Sequence, residues 1–382
     1  ADLDRLQRQV EALRSLRASS PVRRELLTRA QLGERLKQKL ADDYPPDEAR
    51  NDSLALAAFG LVPPGFDIAR FFLDAQTEGI LGFYDPETKT MYVISDGQFG
   101  GFERLTYAHE YVHALQDQAF DLQALTPDAL CEQDSERCAA VQALAEGDAS
   151  VVQFEWYARY ATASDRSDVQ TAINSLQTPL SDSGPAFYRE QLNFTYGAGL
   201  EFVQGLQEGG GDTAVDEAYR QPPLSTEQIL HPGAYPDDPP LPVPAFVLTD
   251  TLGAGWRQVD SGVLGELFTR LVLAEQINKK RAEAAAAGWG GDAYAVFFSE
   301  SAQSTALVLR HTWDTPADAD EFAATFEQYN LARFGGSPPQ IGGAACRVSA
   351  AAVSCLAADG DQTLWVLAPD PSIAAALLQA LK

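Results

Sequence analysis

This sequence of 382 residues is poor in long apolar runs, in basic residues and in histidine. No run of eighteen apolar residues occurs, so we expect no integral membrane segment. Lys and Arg number 28 against 54 Asp and Glu, and the formal charge of −26 would repel a phosphate backbone, which argues against nucleic acid as a partner. Such acidity is typical of a highly soluble protein or of one adapted to salt or heat. The oligomeric state stays open.

Cysteine is also scarce, but its four copies form two short-range pairs, Cys131 with Cys138 and Cys346 with Cys355. Residues 347–349 and 352–354 resemble the arms of a hairpin, which would place Cys346 opposite Cys355. Two local disulfides would indicate an oxidising compartment, so we expect a secreted or cell-surface protein. The alternatives are buried free thiols in a cytosolic protein and a zinc site of four thiolates. Neither pair has the gap of roughly two to four residues that is usual in such zinc sites.

The spacing of apolar residues predicts a helical N-terminal segment over residues 1–78. A β-hairpin with a polar turn follows over residues 79–94. Residues 103–120 and 137–160 have helical periodicity, and residues 164–185 have the polar composition of a loop.

Six prolines between Pro232 and Pro244 make this stretch the best linker candidate and predict a domain boundary near residue 240. Beyond it the sequence predicts, in order, a long helix over 262–287, a tight turn at 288–291, two strands, a helix over 317–334, the hairpin of Cys346 and Cys355, a strand at 363–368 and a last helix. This order suggests an α+β sandwich for residues 241–382.

The most specific signal is the string His109-Glu110-Tyr111-Val112-His113. Two His four residues apart lie on one helical face, so their imidazoles can converge on one cation with Glu110 beside them. Zn²⁺ with three protein ligands keeps a fourth position for water and lowers the pKa of that water to about 7, and Glu110 can take its proton. With four His in the chain, composition alone would produce such a string in about one random shuffle of several hundred. The competing interpretation is an ordinary helix whose Glu110 forms a salt bridge.

The candidate third ligand is Glu146, which lies in the string Ala-Leu-Ala-Glu-Gly-Asp-Ala of the next predicted helix. If this helix packs antiparallel to the first, Glu146 can present a carboxylate to the same ion, while Asp148 or a neighbour steadies an imidazole through a hydrogen bond. The alternative is a solvent-facing acid in an acidic chain. A bond between Cys131 and Cys138 would stiffen the connection between the two helices.

The string His109–His113, followed at a distance by Glu-Gly-Asp-Ala from Glu146, resembles the gluzincin group of zinc metallopeptidases, which contains thermolysin-like enzymes and a large class of aminopeptidases. The gap of 32 residues between His113 and Glu146 is longer than is usual in those aminopeptidases. Beyond this motif, three segments of the sequence are similar to a set of uncharacterised bacterial zincin-like proteins: Gly82–Asp85, His109–Gln118 and Ser225–Pro232.

The resemblance implies an α+β protein with a zincin-like, mainly helical catalytic domain and a small mixed sheet over residues 1–240, followed by a C-terminal α+β domain over 241–382. One Zn²⁺ per chain would be bound by His109, His113 and Glu146. Glu110 would act as general base and later as proton donor to the leaving amine.

The resemblance also implies a peptide-binding strand and a donor to the tetrahedral oxyanion. Residues 90–94 would form the sheet edge above the active-site helix, where an extended peptide can pair, or else only a structural hairpin. Gluzincins commonly take the oxyanion donor, a Tyr or His, from a later element. We rank His231 first and Tyr235 with it, although His231 could simply pack a turn, and Tyr196 is a further candidate.

We therefore expect a secreted or surface-exposed, zinc-dependent metallohydrolase, and favour a peptidase that cleaves a peptide or protein substrate. One alternative is a non-catalytic binding or scaffold protein that keeps a zincin core and works through residues 245–382. Another is zinc hydrolysis of a non-peptide amide or a cell-wall link. The sequence does not indicate the cleavage specificity.

Overall fold

The computed structural model describes residues 2–79, 82–94, 99–175, 184–336 and 338–382. The helices up to residue 175 are α1 (Asp2–Arg14), α2 (Arg29–Asp43), α3 (Pro46–Phe59), α4 (Ile68–Gly79), α5 (Gly101–Phe120), α6 (Leu122–Leu125), α7 (Asp128–Cys131), α8 (Ser135–Tyr160) and α9 (Ala163–Ser175). The helices after residue 185 are α10 (Ala186–Leu192), a π-helical segment (Asn193–Ala198), α11 (Gly199–Arg220), α12 (Thr226–Leu230), α13 (Thr249–Leu252), α14 (Gly265–Ala274), α15 (Lys279–Ala286), α16 (Pro316–Phe334) and α17 (Pro371–Ala380). None of the helices in these ranges is both long and apolar enough to cross a membrane.

The strands form two separate sheets. Three short strands make the first sheet, in the order β1 (Arg23–Leu27), β3 (Thr90–Ile94), β2 (Gly82–Asp85). Seven strands make the second, in the order β4 (Trp256–Gly262), β5 (Trp289–Ser299), β6 (Ser304–Trp313), β10 (Gln362–Ala368), β9 (Val353–Asp359), β8 (Ala344–Val348), β7 (Gln340–Ile341). Every pairing in the seven-stranded sheet is antiparallel. The expected α+β class is confirmed at this level.

The small sheet differs from expectation at its edge. The hairpin of β2 and β3 is present, but residues 23–27 add β1 parallel to β3, pairing Arg23 with Thr90 and Leu27 with Ile94. The strand at residues 90–94 is therefore central, and the prediction that it forms the free edge was wrong. Periodicity did not reveal β1 because its residues are largely exposed and carry no apolar alternation.

Two other local predictions were wrong in part. The expected polar loop from residue 164 contains α9, whose start is capped reciprocally: the amide of Thr162 donates to the Asp165 carboxylate at 2.8 Å, and the amide of Asp165 donates to the Thr162 hydroxyl at 3.2 Å. Residues 176–183 of that loop lie outside the described residues. The expected turn at 288–291 is present only at Gly288, and residues 289–291 begin β5, where a Cβ on Gly291 would come within 2.3 Å of the Leu241 carbonyl oxygen. Glycine permits this close backbone approach.

Both faces of the seven-stranded sheet are covered. One face packs against α17 and the chain around Phe246. The other belongs to a large core that includes Trp289, Trp313 and Trp365 together with Phe59 of α3 and Leu144 of α8. This core crosses residue 240, so the two predicted domains share buried surface, and the boundary stays a prediction.

Candidate metal centre

Two antiparallel helices, α5 and α8, carry the three predicted metal ligands. The α5 helix starts where the Glu103 carboxylate accepts the Gly100 amide at 2.9 Å, and its apolar stripe is buried against α8. Gln116 donates to the Ala145 carbonyl at 3.0 Å, whereas Gln153 reaches back to the Leu105 carbonyl at 3.3 Å. These contacts run in opposite directions along the two helices, so the predicted antiparallel packing is present.

The structure brings His109, His113 and Glu146 together. His109 Nε2 lies 2.9 Å from Glu146 Oε2 and 3.2 Å from His113 Nε2, and His113 Nε2 lies 3.4 Å from the same Glu146 oxygen. Among the His, Cys, Asp and Glu side chains of the described residues, these three form a group that could hold a metal ion. All three side chains are mostly buried, with 11%, 13% and 16% of each exposed.

The donor set fits a zinc ion. Tetrahedral ligands at about 2.0–2.1 Å from zinc lie roughly 3.3 Å apart, close to the three separations in this triangle. Burial lowers the pKa of His113, but the carboxylates of Glu146 and Glu110 outweigh it and raise the pKa to about 10. The pKa of Glu146 is held well below its ordinary value, because the two imidazoles outweigh the effect of burial. The arrangement thus favours positive charge at the centre of the triangle, which a cation provides.

One nitrogen of each imidazole points away from the triangle. His113 Nδ1 lies 2.9 Å from Gln116 Oε1. His109 Nδ1 is buried and has no hydrogen-bond partner in the described part of the chain. The two candidate ligands are therefore supported unequally, and Gln116 is the residue that orients His113.

Glu110 is held beside the triangle by the small sheet. The backbone amide of Tyr84 in β2 donates to Glu110 Oε2 at 2.9 Å, and the Tyr84 hydroxyl donates to Asp117 of α5 at 2.6 Å. Lys89 in the hairpin turn donates to the same Asp117 at 2.8 Å. Burial raises the pKa of Glu110, with Glu146 adding to the effect and the imidazoles opposing it. The hairpin therefore fixes the carboxylate that the sequence assigned as general base.

Tyr196 lies near the triangle, in the π-helical segment, a form of helix often found at functional sites. Its ring centroid is 6.4 Å from that of His109, and 45% of the residue is exposed. Partial burial raises the pKa of its phenol, and the carboxylates of Glu146 and Glu110 raise it further, so the phenol stays protonated.

Glycines bring this segment close to the ligands. A Cβ on Gly147, next to Glu146, would come within 2.1 Å of the Gly199 carbonyl oxygen, and a Cβ on Gly199 within 2.2 Å of the Ala143 carbonyl oxygen. The backbones of α8 and α11 therefore touch directly at the metal centre.

The structure places the two first-ranked oxyanion donors in other contacts. His231 Nε2 lies 3.0 Å from Glu266 of α14, and the Tyr235 hydroxyl donates to the Gln221 carbonyl at 2.7 Å. Their hydrogen bonds do not involve His109, His113 or Glu146. The catalytic role of His231 and Tyr235 stays a prediction without support from these contacts, and Tyr196 is the candidate that lies at the site.

Two residues behind the ligands were not predicted as part of the site. Gln116 follows His113 by three residues on the same helical face, so its position is a signal that the sequence does contain. Arg14 is distant in sequence, and no local pattern connects it to the motif. It donates to Asp148 at 2.6 Å, the acid that the sequence suggested behind the ligands.

Comparison with known proteins adds one partial match. The profile of a domain of unknown function, DUF8575, matches residues 251–378. These residues include β4 and extend into α17, so the match covers the large sheet and none of the metal-centre residues. Neither the curated proteins nor the solved structures gave a significant match.

Proposed function

We propose that this protein is a zinc-dependent hydrolase of peptide bonds with a gluzincin-like centre. The observation that carries the proposal is the convergence of His109 Nε2, His113 Nε2 and one Glu146 oxygen within 3.4 Å, with Glu110 beside them. A zinc ion held there would supply electrophilic activation of water and of the scissile carbonyl.

The chain's own side chains divide the remaining work. Glu110, held at Oε2 by the Tyr84 amide, takes the proton of the attacking water and passes it to the leaving amine. The Tyr196 phenol, whose ring centroid lies 6.4 Å from that of His109, donates a hydrogen bond to the oxygen on which negative charge develops. This assignment moves the oxyanion role from His231 to Tyr196.

The edge for an extended substrate is β2. Because β1 covers one side of β3 and β2 covers the other, β2 is the outer strand of the small sheet whose backbone reaches Glu110. A peptide paired along β2 would pass beside the general base, as β-augmentation at a sheet edge allows.

An extracytoplasmic location accompanies this function. The chain has two disulfides, Cys131–Cys138 and Cys346–Cys355, and no free cysteine. Bonds of this kind persist in oxidising compartments, so we assign the protein to the cell surface or the secreted fraction.

Metal analysis combined with three substitutions tests the proposal. Wild-type protein purified without chelators should contain one Zn²⁺ per chain and cleave denatured casein. Glu110→Gln should keep the metal and lose at least about 100-fold in rate, because the general base is gone. Glu146→Gln should lose the metal. The matched control is Glu155→Gln, on the same helix as Glu146 but paired with Arg159 at the surface, which should keep both. Metal-free wild-type protein, or undiminished cleavage by Glu110→Gln, would show the proposal to be wrong.

A further inference from the structure

The end of the first helix is buried behind the metal centre. Arg14, the last residue of α1, has 0% of its side chain exposed. Its Nε donates to Asp148 Oδ1 at 2.6 Å, and its Nη2 donates to Asp216 Oδ1 at 2.7 Å. A fully buried guanidinium is rare unless carboxylates pair with it, and here two different helices supply them.

Asp148 connects Arg14 to the residues that contact the ligands. Its Oδ2 accepts hydrogen bonds from the Gln116 amide and from the Tyr219 hydroxyl, each at 3.0 Å. Asp148 is itself fully buried, so its carboxylate depends on these donors and on Arg14 in place of water.

The hydrogen-bond donors and acceptors around Gln116 allow only one orientation of its side-chain amide. Its NH₂ group faces two acceptors, Asp148 Oδ2 and the Ala145 carbonyl, so its Oε1 must face His113. Because Oε1 only accepts, His113 Nδ1 must carry the proton that lies between them. When His113 gives up its second proton to bind a cation, the Nε2 lone pair is left for the metal.

We propose that Arg14 is a positioning residue of the metal centre: it fixes Asp148, which fixes Gln116, which sets the tautomer and orientation of His113. This proposal rests on the proposed function, because it concerns a ligand of the same ion. It makes α1 a working part of the catalytic unit. The rest of α1 agrees with this role, since Leu6 and Val10 are buried in the core that surrounds α5.

Zinc affinity, measured on the full chain by competition with a chromophoric chelator, tests the proposal without substrate. Arg14→Lys keeps the charge but removes the Nε–H group that donates to Asp148 Oδ1, so Asp148 and Gln116 are held less firmly and Zn²⁺ should bind roughly 10- to 100-fold more weakly. The visible spectrum of the Co²⁺-substituted protein should change as well, because His113 turns in the site. The matched control is Asp216→Asn, which disturbs the other branch of the same guanidinium and should leave zinc affinity unchanged.

A double variant separates positioning from general loss of structure. Gln116→Met cuts the chain between Asp148 and His113 without removing a charge, and it should weaken zinc binding to the same degree as Arg14→Lys. If Arg14 acts through Gln116, the double variant should bind zinc no more weakly than Gln116→Met alone. If Arg14→Lys does not fold, the single variant Gln116→Met still tests whether the link between Asp148 and His113 sets the zinc affinity.

The outcomes are distinguishable. Additive losses in the double variant, wild-type zinc affinity in Arg14→Lys or Gln116→Met, or an equal loss in Asp216→Asn would overturn the positioning role alone. Wild-type protein that binds no Zn²⁺ would overturn this proposal and the proposed function together.

Discussion

The ring of Tyr196 lies 6.4 Å from that of His109 and is partly exposed. Burial and the carboxylates of Glu146 and Glu110 raise the pKa of its phenol. This position suits a hydrogen-bond donor to a substrate oxygen, because the group is neutral, close to the ligands and open to the outside.

We expect Tyr196→Phe to lower kcat by roughly 10²- to 10³-fold, the usual cost of removing one oxyanion donor, while KM and zinc affinity change little. Steady-state kinetics on a single peptide substrate, together with zinc titration, give the measurement. His231→Gln and Tyr235→Phe are the comparison variants. A larger loss of kcat in either of them than in Tyr196→Phe would return the role to the residues that the sequence ranked first.

At the residue scale, prediction from sequence was limited by distance along the chain. The spacing of His109 and His113 places them on one helical face. Glu146 could be proposed because the next predicted helix contains the Glu-Gly-Asp-Ala string that resembles the gluzincin motif. Arg14 and Tyr196 could not be ranked in this way, because their proximity to the ligands depends on how α1 and the π-helical segment pack.

At the element scale, the contact between α8 and α11 determines how close the π-helical segment comes to the ligands. Gly147 and Gly199 leave no room for a side chain, since each Cβ would lie within 2.2 Å of a carbonyl carbon or oxygen position on the other helix. The absence of a side chain at both glycines therefore sets the short distance between the two helices, which we call the spacer role of Gly147 and Gly199.

Gly147→Ala should reduce the free energy of unfolding by about 1–3 kcal/mol, because the added methyl forces two backbones apart. It should also lower the hydrolysis rate by shifting Tyr196 away from His109. Chemical denaturation and kinetics measure the two effects. The control is Gly205→Ala on α11, where a Cβ meets nothing within 4 Å, and this change should raise stability by up to about 1 kcal/mol. Equal effects of the two substitutions would contradict the spacer role.

Strong periodicity explains which elements were predictable. The long helices α5 and α8 and most strands of the large sheet lie where apolar spacing predicted them. The strand β1 was missed because its register comes from pairing with β3 rather than from its own pattern. The long helix expected over residues 262–287 is divided into α14 and α15, because Asn278 caps a new start by accepting the Arg281 amide at 3.1 Å.

At the scale of the whole molecule, Glu136 links the two halves of the chain. This residue of α8 is 3% exposed and accepts both the amide and the hydroxyl of Thr226, at 2.6 and 2.7 Å. It also packs on Gly265 at the start of α14. Burial raises its pKa to about 8, against the partial opposition of the Thr226 hydrogen bonds.

The folded protein should therefore lose stability as pH rises towards 8. Because the folded-state pKa of Glu136 exceeds its unfolded value near 4.5, the folded state holds the proton more tightly. The contribution is complete below about pH 4.5 and is lost as pH rises through about 8, and its size is on the order of a few kcal/mol. Thermal melts from pH 6.5 to 8.5 should show a steeper fall of Tm for wild type than for Glu136→Gln. Glu155→Gln should keep the wild-type slope, and parallel slopes for all three proteins would contradict this account.

The contacts of Arg14 also set an order of events during synthesis. Its two partners lie 134 and 202 residues later in the chain, so α1 leaves the ribosome long before it can dock. His109, His113 and Glu146 are all made before Asp216 and Tyr219. Contacts between residues so far apart in sequence form late, because a long loop must close first. We therefore expect the bond from Arg14 to Asp148, and with it mature zinc affinity, to form only after α8 has emerged, and the bond from Arg14 to Asp216 to follow later without changing that affinity.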